Sequence, residues 1–258
     1  MRDDLDITDA KAVRRVIFDE RPALVINCAV LGVDACELEP SLAQAVNVRG
    51  AETLAKTATA VDAEFVQLST NYIFGGKREG SSFYTLEDVP TPVNIYGQTK
   101  LAGERAVKVA ANRCFIVRSS WIFGVGKENF FSTAPRFLNM RRKIRAITDA
   151  WASATYVRDL VSRVIKILSR RYYSIYHVVN DGLCSYYDFA LEAARILNVS
   201  SDELPDLIEP IKLCEFQHRA ERPRYTPLRC IISENLGFPA LRDWRVALAE
   251  YLHEGGAL

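Results

Sequence analysis

Tyr96 and Lys100 stand four residues apart in "YGQTKLAGE" (96–104), directly after the proline-rich "VPTPVNI". At that spacing two side chains share one face of a helix. A free phenol ionises near pH ~10 and is a poor acid–base group at neutrality. A cation beside it favours the phenolate and brings the group toward a useful range. A carbonyl that receives hydride must also receive a proton, and a phenol held against its oxygen can give one. A hydroxyl at the end of a neighbouring strand can hold the same oxygen, and Ser69 and Thr70 lie where "VQLS" runs out. The spacing alone recurs easily by chance, and its bland reading is an exposed Tyr and Lys at a helix start. Its place at the opening of a helix, with "ST" closing the strand before it, favours the chemical reading.

The surrounding pattern predicts the elements that would hold these groups. "TDAKAVRRVIFDE" reads as a helix with Thr8 as N-cap and Val13, Val16 and Ile17 on one face. "ALVINCA" (23–29) reads as a buried parallel strand, "EPSLAQAVNVRGAETLAKTATAV" as one long helix, and "EFVQLS" and "CFIVRSS" as two further strands around the helix from Tyr96. This alternation predicts an α/β fold with a Rossmann-like, doubly wound parallel sheet over residues 1–125. Residues 126–258 are expected to form mostly a small substrate lobe, with some segments returning to the sheet. There "YSIYHVVN" reads as a strand, "YYDFALEAARIL" as a helix capped near Ser185, and "DWRVALAEYLHE" as a closing amphipathic helix. Ligands of such sheets bind beyond the carboxyl ends of the strands, so the loops after Ala29, Ser69 and Ser120 are the ones to watch.

Composition narrows the function classes. The chain has 258 residues, 49% of them hydrophobic, enough for one large or two small domains. With 33 basic and 32 acidic residues its formal net charge is +1, and no basic run exceeds "NMRRKIR", so nucleic acid is not expected as a partner. No apolar stretch is long enough to span a membrane, and "MRDDLDITDA" lacks the apolar segment of a signal peptide. The six cysteines form no CxxC pair and read as reduced core thiols of a cytoplasmic protein. His177, His218 and His253 are scattered without ligand spacing, so no metal is expected.

Several ordered blocks add a resemblance. "LSTNYIFGG", "YGQTKLAGE" and "VRSSWIFG", with "LDITD", "RPALVINCA", "VDACELEP", "VNVRGAETLA" and "RAERPRYTPL", run through nearly the whole chain. Together they resemble the extended short-chain dehydrogenase/reductases, in the branch of the dTDP-4-dehydrorhamnose reductases. The resemblance implies NADPH- or NADH-dependent reduction of a nucleotide-linked 4-keto-6-deoxy sugar in dTDP-rhamnose biosynthesis, with a homodimer among the expected partners. It makes Tyr96 the proton donor, and Lys100 its helper and the holder of the nicotinamide ribose. Ser69 and Thr70 would orient the sugar carbonyl. By the same likeness Asp6 and Ile7 would touch the adenine, and Cys28, Ala29 and Val30 would run along the cofactor. Asn71, Trp121, Asn129, Phe130 and Arg222 would meet the substrate. From residue type alone, core packing is an equal reading for Trp121 and Phe130, and a surface salt bridge for Arg222.

The chain also departs from that family. The 13 glycines form no G-x-x-G-x-x-G turn of the kind that cradles a pyrophosphate against a helix N-terminus. A βαβ unit of roughly 30 residues is expected to be missing before Met1, which would leave "ALVINCA" as an unpaired apolar edge. A misplaced start codon is one account of this. A real loss is the other, and it supports an alternative: a non-catalytic subunit resembling the methionine adenosyltransferase β subunit, or an inactive remnant. Asn71 stands where the family usually has Asp, and Ala150 and Ala154 where it has Gln and Pro.

Overall fold

The computed structural model describes residues 5–78, 82–126, 128–229 and 231–255. The first helix, α1 (Ala10–Glu20), opens one residue later than expected. Asp9, not Thr8, caps it, accepting the Lys11 and Ala12 N–H groups at 2.9 and 3.1 Å. The Thr8 hydroxyl is turned back onto Asp6 at 2.8 Å. Arg21 ends the helix in the left-handed region at φ 41, and Pro22 prevents its continuation.

β1 (Leu24–Asn27) follows, then α2 (Val33–Leu38) and α3 (Pro40–Gln44). The expected long helix is interrupted by a π-helical turn over Ala45–Gly50 before it resumes as α4 (Ala51–Ala60). β2 (Glu64–Thr70), α5 (Ile95–Ala110) and β3 (Cys114–Ser119) complete this half.

In the second half come β4 (Ile122–Phe123), α6 (Phe130–Asn139), β5 (Ile144–Ile147), β6 (Trp151–Ala152) and β7 (Thr155–Tyr156). After them come α7 (Val157–Arg170), β8 (Ile175–His177), β9 (Asn180–Asp181), β10 (Cys184–Ser185) and α8 (Tyr186–Ile196). The chain closes with α9 (Leu204–Leu207), β11 (Ile208–Ile211), β12 (Tyr225–Thr226), α10 (Ile231–Asn235), β13 (Leu241–Asp243) and α11 (Trp244–His253). Ser185 caps α8 as expected, in a reciprocal capping box with Asp188.

The main sheet runs β1-β2-β3-β8, every pair parallel. α1, α4 and the end of α5 bury Val13, Ile17, Leu54 and Val107 against one side of it. On another side Val66, Phe115 and Val117 pack with Leu160 and Ile167 of α7 and with Tyr176 of β8, so the chain returns to the sheet after residue 125. A separate core of Phe123, Phe131, Leu138, Tyr156, Phe189, Trp244 and Tyr251 holds the lobe together. β1 is not the fully buried strand its apolar run suggests; it is the edge of the sheet among the described residues, the place expected for an unpaired "ALVINCA", and Ile26 is 49% exposed.

The cysteines also need correction. Cys36, Cys114 and Cys184 are buried free thiols, but Cys28 and Cys214 are exposed, and Cys230 lies outside the described residues. Among the described residues no helix is long and apolar enough to cross a membrane, and no group of three or more His, Cys, Asp or Glu could hold a metal ion.

Glycine 103 fixes how α5 sits. A Cβ there would lie 2.1 Å from the Asn47 carbonyl oxygen of the π-turn. In an exposed helix Gly→Ala gains about 1 kcal/mol. Here the clash is with backbone, which cannot swing aside, and overpacking of this kind costs about 1–3 kcal/mol. Gly103→Ala should therefore lower unfolding free energy in a urea titration, against its helix propensity. An unchanged or raised midpoint would mean that α5 is not seated on the π-turn.

Candidate active site

α5 opens on Asn94. Its side-chain oxygen accepts the Gly97 N–H at 2.7 Å while its amide nitrogen donates to the Glu221 carbonyl, also at 2.7 Å. The Ile95 N–H donates to the Glu37 carboxylate at 2.8 Å. A Cβ on Gly97 would lie 2.2 Å from the Tyr72 carbonyl oxygen, so glycine lets the first turn of α5 press onto the turn after β2. That contact brings Tyr96 to Thr70. The Thr70 hydroxyl hydrogen-bonds the phenol, and the Tyr72 and Tyr96 rings meet edge to face at 5.8 Å.

The electrostatics differ from the expectation. Burial pushes Tyr96 up to about 12, with the Thr70 hydroxyl pulling the other way. Lys100 is not among the groups that set it. Its Nζ donates to the Leu68 carbonyl at 2.6 Å, and burial draws Lys100 down to about 8, against the opposing pull of Glu104. At neutral pH the phenol is thus protonated, the form a proton donor needs, while Lys100 remains mostly cationic.

Seven of the expected residues converge. Tyr96, Thr70, Asn71, Trp121, Asn129, Phe130 and Arg222 line one hollow of about 360 Å³. Some of them are also committed to the fold. Asn71 donates to the Thr226 hydroxyl at 2.7 Å, a bond that an ionised Asp could not make as donor. Asn129 caps α6, accepting from Ser132 N at 3.1 Å, and donates to the Ile122 carbonyl at 2.8 Å. Trp121 has φ 39, rare for a bulky residue, and its ring stacks on Phe131 at 4.7 Å. Arg222 Nη2 is held by Asp34 Oδ2 at 2.6 Å, and Asp34 Oδ1 accepts the N–H groups of Arg219 and Ala220 at 3.0 Å each.

Asp6, Ile7, Cys28, Ala29 and Val30 line a different cavity of about 840 Å³ beside β1, the edge of the sheet among the described residues.

Ser69 is placed elsewhere than its reading required. Thr70 meets the Tyr96 phenol, two turns before Glu104 on α5, so Ser69 and Thr70 do not share a target. The Ser69 hydroxyl donates to Glu104 on the buried side of the sheet.

Among the further residues that line the hollow, four offer hydrogen bonds, charge or a ring near the substrate without having been singled out: Tyr72, Tyr186, Arg145 and Phe216. Tyr72 and Tyr186 hydrogen-bond each other. Tyr72 lies within "LSTNYIFGG", so its signal is local; the other three come from distant segments with no local mark.

The family model of the RmlD substrate binding domain matches residues 1–256. A dTDP-4-dehydrorhamnose reductase of Mycolicibacterium smegmatis is 39% identical over 95% of this chain and 74% of its own length. The spore coat polysaccharide biosynthesis protein SpsK of Bacillus subtilis is 35% identical over 97% of this chain and 86% of its own. Among solved structures, the dTDP-4-dehydrorhamnose reductase of Bacillus anthracis in complex with NADP superimposes with a TM-score of 0.91 at 35% identity, covering 98% of this chain and 88% of that one.

Proposed function

The chain belongs to the RmlD substrate binding domain family, and from that premise we propose that it reduces a nucleotide-linked 4-keto-6-deoxy sugar with NADPH or NADH, as a dTDP-4-dehydrorhamnose reductase does. The observation that carries this reading is the Tyr96 phenol, half-buried on the wall of the aromatic hollow and joined to the Thr70 hydroxyl. The reductase names of the relatives do not favour a non-catalytic binding module.

The nicotinamide end of the cofactor fits the residues present. Lys100 uses one of its three N–H donors on Leu68 and keeps two for a ribose. Ile7 and Cys28–Val30 line the adjoining groove. No Gly-rich phosphate turn stands among the described residues. When bound, the dihydronicotinamide supplies the hydride.

The chain's own residues supply the rest. Thr70 holds the carbonyl oxygen beside Tyr96. The phenol gives its proton to that oxygen as negative charge develops there, which is favourable because an alkoxide is a stronger base than a phenolate. Lys100, one turn further along α5, is left to hold the ribose through its two remaining N–H donors. Trp121, Phe130, Tyr186 and Phe216 offer rings for a base and sugar, and Arg222 and Arg145 offer guanidinium groups for a diphosphate.

The direct test mixes the purified chain, NADPH and a dTDP-4-keto-6-deoxyhexose and follows dihydronicotinamide absorbance. Oxidation that depends on the sugar is expected. A chain that binds NADPH yet leaves it unoxidised with every nucleotide-linked keto sugar would end the proposal. Asp34→Ala should free Arg222 from its anchor and raise KM for the sugar nucleotide about tenfold, with kcat changed by less than about threefold. A fall in kcat at constant KM would place Arg222 outside substrate binding.

A further inference from the structure

Three consecutive residues at the end of β2 are bound to three successive turns of α5. The Leu68 carbonyl accepts from Lys100 Nζ at 2.6 Å, the Ser69 hydroxyl donates to Glu104, and the Thr70 hydroxyl meets the Tyr96 phenol. Positions 96, 100 and 104 lie on one helix face. Glu104 is 2% exposed, Arg118 4% and Lys100 5%. Buried charges are costly unless paired; here Arg118 is paired with the Glu104 carboxylate, and Lys100 stands one turn before it on the same helix face with its Nζ on the Leu68 carbonyl. Arg118 grips Glu104 through Nη2 at 2.7 Å and through Nε at 3.0 and 3.2 Å. Ser69, Arg118 and His177 are partners in register across β2, β3 and β8, so Glu104 covers a cross-strand polar row.

We propose that Glu104 is the positioning residue of this site: anchored by Arg118, it fixes Ser69 and so the end of β2, and it keeps the charge on Lys100. Glu104 touches neither the hollow nor the cofactor groove; it acts through its neighbours. The inference rests on the reductase reading above for its catalytic consequence.

The groups facing Lys100 make Glu104 the one that matters. From α5 itself come Tyr96 and Glu104; Tyr96 is protonated well above neutrality. From the end of β1 comes Cys28 and from α2 Cys36, both thiols held above their ordinary value and therefore neutral at working pH. Arg118 of β3 lies beyond Glu104, and His177 of β8 beyond Arg118, its Nε2 3.4 Å from Arg118 Nη1. Against burial, which draws Lys100 down, Glu104 supplies the largest opposing pull.

The test is the alkaline limb of the kcat/KM profile, together with direct titration of Lys100 by NMR of 13Cε-labelled lysine. Glu104→Gln should move both downward by about one pH unit or more; Glu104→Asp should return them most of the way. Glu104→Gln leaves Arg118 as a lone buried charge and risks unfolding, so Glu104→Gln/Arg118→Met, which removes both charges at similar volume, is measured beside it. That pair should fold and still show the lowered titration. A folded variant whose Lys100 titrates with the parent overturns the proposal. The NMR titration reads Lys100 whether or not the chain turns over substrate, so inactivity of the parent would sink the reductase reading without touching this one.

Discussion

Tyr96→Phe is expected to cut turnover by about 10²–10⁴-fold, the range contributed by a positioned general acid, while leaving the chain folded. The substitution deletes one oxygen and keeps the ring. The edge-to-face contact with Tyr72 survives, and so does the Asn94 cap that starts the helix. The loss to stability is that of one buried hydrogen bond to Thr70, about 1 kcal/mol. Catalysis loses more because the alkoxide then has no acid within reach. Binding of NADPH, followed by its fluorescence, should change little, since Lys100 keeps its bond to Leu68. A variant that turns over within threefold of the parent would show that the proton comes from somewhere else.

The second large effect is on stability in acid. His177 is buried, with Nδ1 3.0 Å from the Arg229 carbonyl and Nε2 3.4 Å from Arg118 Nη1. A carbonyl requires a donor and a guanidinium requires an acceptor, so the ring is neutral with its proton on Nδ1. Protonation would set N–H against N–H. Burial, and then the Arg118 charge, draw His177 down to about 3. An unfolded His takes up its proton near pH ~6.5. Between those values the unfolded chain binds more protons than the folded one, so stability is full above about pH 6.5 and is lost as pH falls toward 3. From pH 7 to pH 5 the loss should be about 2 kcal/mol, read as a falling urea midpoint. His177→Gln can still donate to Arg229 and accept from Arg118 but cannot titrate, so its midpoint should fall visibly less over that interval. Parallel curves for the two proteins would show that His177 is not held neutral.

The sheet and its parallel sense were legible because strands covered on both faces read as unbroken apolar runs, as in "FIV" of β3. Tyr96 and Thr70 were legible for a related reason: helix spacing and a strand end are local facts. Ser69 was misplaced because its hydroxyl is taken by Glu104, which only the seating of α5 brings to it; β2 itself runs one residue further than expected, to Thr70. Glu104 lay in full view within "YGQTKLAGE", but an acidic residue in an amphipathic helix reads as solvated. Its burial is decided by Arg118, which only the pairing of β2 with β3 brings across. The π-turn at Ala45–Gly50 carries no local signature either; it presents the Asn47 carbonyl against which Gly103 is seated. Arg145, Tyr186 and Phe216 reach the hollow from three separate segments, which periodicity cannot gather.

The fastening of Leu68, Ser69 and Thr70 onto one helix has an all-or-none character. A shift of β2 by one residue along its axis would turn each side chain to the other side, and the ammonium, the carboxylate and the phenol would lose their partners in the same instant. No intermediate slackening keeps two of the three. As the protein is warmed, the catalytic geometry should therefore persist unblurred until this strand and helix part company, and then vanish in a single step with them.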